Sequence, residues 1–158
     1  MREGDRSNLC VLIERIACLG RLPEHLLWEA AKAMAIDRSS SPGRRFAHLV
    51  EAGAMLDAAI LLVGTIEPSR SIASIAIRGK TWICTIDGGQ TSGRKTTRMH
   101  RAAHADLAAA VLMALLSSRL EGQRTTYKAN VSSHFRTYRV RAMHQHRQTF
   151  PRSRNRKS

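Results

Sequence analysis

The sequence predicts an α+β fold: an αβα sandwich in which a short antiparallel β-hairpin sheet packs with helices, followed by a basic, flexible C-terminal tail. Three observations carry that expectation. Apolar residues recur at helical spacing in four segments, period-two alternation surrounds Gly79-Lys80, and basic side chains crowd into the last forty residues.

The helices come first. Asp5 or Ser7 can cap a helix in which Leu9, Leu12, Ile13 and Ile16 repeat at i, i+3, i+4 and i+7, ending near Gly20. Pro23 suits the first turn of a second helix, where Glu24 favours the positive end of the helix dipole. Leu27, Trp28, Ala31, Met34 and Ala35 form its apolar face. The run "DRSSSPGRR" reads as a loop by composition. A third helix is expected from about Phe46 to Val63, with Leu49, Val50, Leu56, Ala59, Ile60 and Val63 inward and Gly53 marking either its true start or a kink. Gly64 ends it and Pro68 prevents its resumption. After the hairpin and a polar loop, a last helix is expected from about Arg101 to Leu120, with Leu107, Val111, Leu112, Leu115 and Leu116 against the sheet. Trp28 and Trp82 read as core anchors.

Gly79-Lys80-Thr81 resembles the end of a phosphate-binding P-loop, but that loop needs a glycine five residues before Gly79, where Ser74 stands. The residues after it, Thr81 to Ile86, are β-branched and aromatic and favour a strand over the required helix. A type II′ hairpin turn at Gly79-Lys80 accounts for the stretch better. It pairs Ile77 with Trp82, Ile75 with Cys84 and Ala73 with Ile86 on an apolar face, and sets Ile72, Ala76 and Ile83 on the outer one. In "GGQTSGRKTT", Gly88 and Gly93 have P-loop spacing, yet Arg94 holds the lysine position and Lys95 the hydroxyl position, so it reads as a polar loop.

The 158-residue chain suits one domain with an extension: an N-terminal amphipathic helix over 1–22, the αβα domain over 23–120, and a basic tail over 121–158. Of the formal +14 charge, +10 lies in residues 119–158, where eleven basic side chains face the single acid Glu121. Cys10, Cys18 and Cys84 form no disulfide framework, which points to a reducing cytoplasm. Glu14 and Arg15 interrupt the N-terminal apolar run, and the run from Ala105 to Leu116 is too short to cross a membrane, so no membrane association is expected.

The segments "HLLWEAAKAMAI", "AGAMLDAAILLVG", "IASIAIRGKTWICTID" and "HRAAHADLAAAVLMALLSSRL" together resemble the phage ABA sandwich domain family, small αβα modules of phage and prophage proteins, over roughly Pro23 to Leu120. Asp106 stands where that family often has a proline, and no aromatic adjoins Pro68. The resemblance implies a fold and a phage-related origin, and no reaction.

No enzymatic role, cofactor or metal site is expected. His100 and His104 have the spacing with which two imidazoles on a helix can share a metal, but the glutamate of H-E-x-x-H is missing and a third ligand would have to come from Cys84 or Asp87. Asp87 and Asp106 lack a nucleophile motif beside them. Cys84 falls on the core face of the hairpin, where an inert thiol is expected. Arg94, Lys95, Arg98 and Arg101 form a basic patch between hairpin and last helix. In the tail, Arg124, Lys128, Arg136, Arg139, Arg141 and Arg147 alternate with Tyr127, Phe135, Tyr138 and Phe150. Guanidinium groups bind phosphates and interleaved aromatics stack on unpaired bases. DNA or RNA is therefore the expected partner, bound without sequence preference. The rival expectation is a protein-interaction or structural module that binds another protein or a second copy of itself.

Overall fold

The computed structural model describes residues 3–66, 70–88 and 98–122. Over these residues the protein is α+β: five helices and a three-stranded antiparallel sheet, in the order α1 (Glu3–Ala17), α2 (Glu24–Ala33), α3 (Ser41–Glu51), α4 (Met55–Thr65), β1 (Ser71–Arg78), β2 (Thr81–Asp87), β3 (Met99–His104) and α5 (Leu107–Gly122). All of these elements belong to one compact unit. The tail from 123 onward lies outside the described residues.

The helix ends follow local chemistry. In α1 the stripe of Leu9, Leu12 and Ile16 is buried, as its spacing requires. After α2, Ala35 takes a left-handed φ of 58°. Its N–H donates to the Lys32 carbonyl and that of Ile36 to the Ala31 carbonyl, both at 3.0 Å, which is a Schellman ending. Ala35 is thereby turned out to solvent and is not part of the apolar face, which Leu26 and Ala30 complete. The ending of α3 is the same motif with glycine in the strained position: Gly53 has φ 72°, with its N–H on the Val50 carbonyl and that of Ala54 on the Leu49 carbonyl. A left-handed residue stops a helix, so the single helix expected from Phe46 to Val63 is two, with α4 restarting at Met55.

The expected loop before Phe46 is also shorter. Ser40 caps α3, its hydroxyl accepting from the Gly43 N–H at 3.1 Å, and Pro42 fits the first turn. The tight turn leading there is held by Asp37, whose carboxylate accepts from the hydroxyl of Ser39 at 2.6 Å and its N–H at 2.9 Å. Those bonds hold the Asp37 pKa below its usual value. They favour the fold above the unfolded-state pKa and are lost as pH falls through the lower folded one. Gly43 is required here, because a Cβ would overlap the Asp37 carbonyl.

In the sheet, β2 is central. Gly79 has φ 60° and Lys80 does not have a positive φ, as a type II′ turn demands; a P-loop conformation is thereby ruled out at this position. Ile77 faces Trp82 and Ile75 faces Cys84, as expected. Further on, a bulge at Ala73 shifts the register, so Ile72, not Ala73, pairs with Ile86. The shift turns the larger side chain inward: Ile72 packs on the core and not on the outer face.

The third strand is the largest departure from expectation. The last helix was expected to begin at about Arg101, but residues 99–104 form a strand that pairs with β2, Trp82 opposite His104, Cys84 opposite Ala102 and Ile86 opposite His100. Helix α5 starts only after Asp106, whose Oδ1 accepts from the Ala108 N–H at 2.9 Å and whose carbonyl accepts from the Ala110 N–H at 3.0 Å. The other carboxylate oxygen, Oδ2, accepts the Leu22 N–H at 2.7 Å, tying the α1–α2 connection to the start of α5 across 84 residues of sequence.

Helix α5 packs on β2 and β3 and also carries α1 and α4. From Ala108 to Leu112 and from Ala114 to Leu116 it is buried on all sides. Near its end, Arg119 adjoins the buried Arg70, whose pKa is lowered by burial and by that second guanidinium.

Replacing Asp106 removes both a helix cap and the tie to Leu22. Asp106→Ala is expected to lower unfolding stability by roughly 2.5–4 kcal/mol, since a lost cap costs about 1 kcal/mol and a hydrogen bond to a charged acceptor about 1.5–3. Asp106→Asn, which keeps one acceptor oxygen, should fall between. Urea midpoints at unchanged slope would measure both.

Candidate functional site

Of the basic residues that the sequence singles out, the described ones, Arg98 and Arg101, are placed by β3. Gly88 donates its N–H to the Arg98 carbonyl at 2.8 Å, so the chain re-enters the sheet beside the point where it left. From there, alternation sorts the side chains. His100, Ala102 and His104 share the face of Cys84 and Ile86, while Met99, Arg101 and Ala103 share the opposite one, with Arg101 across from Thr85.

That opposite face is open. Ser74, Ala76, Arg78, Met99, Arg101 and Ala103 on it are exposed, although Ile83 at its centre is only 8% exposed. Arg101 stands in line with Thr85, and Arg78 with Thr81, so at 3.3 Å per residue the two arginines are offset by about 13 Å along β2. Arg98, just before β3, and Lys80, in the β1–β2 turn, are exposed at the two ends of the sheet.

Of the residues expected to meet nucleic acid, Arg98 and Arg101 are therefore brought to one end of the sheet. Arg94, Lys95, Arg124, Lys128, Arg136, Arg139, Arg141 and Arg147 lie outside the described residues. Arg78 and Lys80 were not singled out from the sequence. Arg78 shares the outer face of the hairpin with Ala76 by alternation, but only the third strand sets it on one surface with Arg101.

The histidine pair does not have the geometry its spacing suggested. On a helix, residues four apart are neighbours; on a strand they are about 13 Å apart on one face, here with Ala102 between them. Both are buried, His100 to 5% and His104 to 7% exposure. His104 Nδ1 accepts the Asp106 N–H at 2.9 Å, which occupies its lone pair in ending the strand. His100 lies so close to Gly88 that a Cβ there would come within 2.9 Å of its Nε2. Among the described residues no group of three or more His, Cys, Asp or Glu side chains is arranged to hold a metal ion.

Cys84 is fully buried between Ile75 and Ala102, and burial raises its pKa above the ordinary thiol value, which disfavours the nucleophilic thiolate. The two tryptophans are half-buried and pack against the core from its margin. No helix among the described residues is long and apolar enough to cross a membrane.

The thiols give a direct check on this arrangement. With a chromogenic disulfide reagent at neutral pH, the exposed Cys10 and Cys18 should react at once and Cys84 only when denaturant is added. Three fast thiols in the native protein would contradict the packing of β2 beneath α5.

No family model, curated protein or solved structure matches the chain.

Proposed function

We propose that the chain is a non-enzymatic accessory protein, phage-derived as its sequence resemblance implies, that binds DNA or RNA without sequence preference in the cytoplasm. The observation that carries this reading is the uncovered sheet face bearing Arg101 and Arg78, flanked by Arg98 and Lys80, in a chain of formal charge +14. Arginine offers paired N–H donors to phosphate oxygens. The small and hydroxyl side chains between the arginines, Ser74, Ala76 and Thr85, leave a backbone room to approach. Neither Arg98 nor Arg101 is joined to a carboxylate by any hydrogen bond or ion pair found among the described residues. Contacts of this kind position a phosphate chain and carry no base code.

Fluorescence anisotropy of the full chain on single- and double-stranded DNA and on RNA, over a salt series, tests the reading. The double variant Arg98→Gln/Arg101→Gln should weaken binding alike on every sequence. It should also flatten the plot of log affinity against log salt by about 1–2 on duplex DNA, near 0.9 per lost phosphate contact. An unchanged slope would remove the sheet face from the interface, and no binding by the full chain would end the nucleic-acid reading.

A second reading, a protein-interaction module, is favoured by a different observation. Strand β1 is an edge of the sheet; it carries no charge from Ser71 to Ile77, and on it Ile75 and Ile77 are 42% and 57% exposed. Long, flat, apolar edges are sites of strand addition. On this reading the full chain self-associates with rising concentration in sedimentation equilibrium and Ile77→Lys abolishes it; a protein monomeric throughout excludes a second copy as the partner.

A further inference from the structure

Helices α2 and α3 enclose a cleft of about 500 Å3, within the size range of small-molecule sites. Its apolar walls come from Trp28, Phe46 and Ile36, and its polar ones include Glu29, Lys32 and Arg38. The Trp28 and Phe46 rings meet edge to face, centroids 4.9 Å apart at 85°, so the aromatic wall is fixed.

Two contacts decide its charge. The guanidinium of Arg38 lies over the Trp28 ring, 4.0 Å from its centroid. That stacking holds a long, exposed side chain at the cleft and leaves its N–H edge available in the plane. Glu29, the acid at the site, is taken by Arg15 through two bonds of 2.5 and 3.1 Å. With Glu29 neutralised, Arg38 and Lys32 make the rim positive beside an aromatic wall.

We propose that this cleft is a binding site for a small organic anion with a flat aromatic body, an aromatic carboxylate or phosphate. The anionic group meets Arg38 and Lys32, and the ring lies against Ile36 and Trp28, which the buried Phe46 backs from behind. The site is built from α2, α3 and their connection, so it stands independently of whether the sheet face binds nucleic acid.

The test uses the full chain, 2-naphthoate as the probe and its neutral counterpart 2-naphthamide as the control, followed by two-dimensional amide NMR. The expected result is saturable binding of the naphthoate, with shifts confined to α2, the segment after it, the start of α3 and the Trp28 indole N–H. Affinity should fall about tenfold for the amide and for Arg38→Gln, the loss of one charge-assisted contact. Arg38 is exposed, so the variant should keep the native spectrum, which the same experiment reads. Equal binding of acid and amide, naphthoate affinity unchanged in Arg38→Gln, shifts elsewhere in the protein, or no saturation at millimolar probe would each overturn the proposal.

Discussion

The rest of the architecture is organised around burying α5 on every side. A helix with one apolar stripe needs one partner; the stretch from Ala108 to Leu116 is apolar all round and needs several. The sheet covers one side, and α1 and α4 cover others. Alanines at 108, 109, 110 and 114 let those neighbours come close, while Val111, Leu112, Leu115 and Leu116 fill the space between. Each large side chain so buried contributes about 1.5–3 kcal/mol. The axial position of the helix is set at its first turn, where Asp106 both caps it and holds the α1–α2 connection.

Much of this was legible from the residues, and where it was not, the reasons are physical. The hairpin could be read because side-chain alternation and a glycine turn agree on one register. The N-terminal helices could be read because their apolar stripes have the right period. The third strand was missed because Ala102, Ala103 and the alanines after them favour helix by intrinsic propensity; pairing with β2 overrides that preference, and the weak clue was the alternation of His100, Ala102 and His104 against Arg101. The break at Gly53 was visible as an ambiguity that only the left-handed φ resolves. At Ala35 the same motif uses a residue that gives no warning, since alanine is ordinarily a helix former and pays about 1–2 kcal/mol in that conformation.

The candidate sites show the same pattern. A spacing of four residues means adjacency on a helix and separation on a strand, so the histidine pair changed character when its secondary structure did. The basic patch was legible as charge, but its arrangement was not, because which arginines share a surface depends on the third strand. The α2–α3 cleft left no trace in the sequence, for Trp28, Arg38 and Phe46 are brought together by the Asp37 turn and not by any repeat.

The bulge at Ala73 divides β1 into two mechanically different halves. Toward Ser71, Ile72 is anchored beneath the helices; toward the Gly79-Lys80 turn, every residue of the strand is exposed, Ile75 and Ile77 included, and only the ladder to β2 restrains it. Such an element behaves as a cantilever. Its free end can peel from β2 without disturbing the packing of α5, so amide protection should decline from the bulge toward the turn while the central strand stays closed.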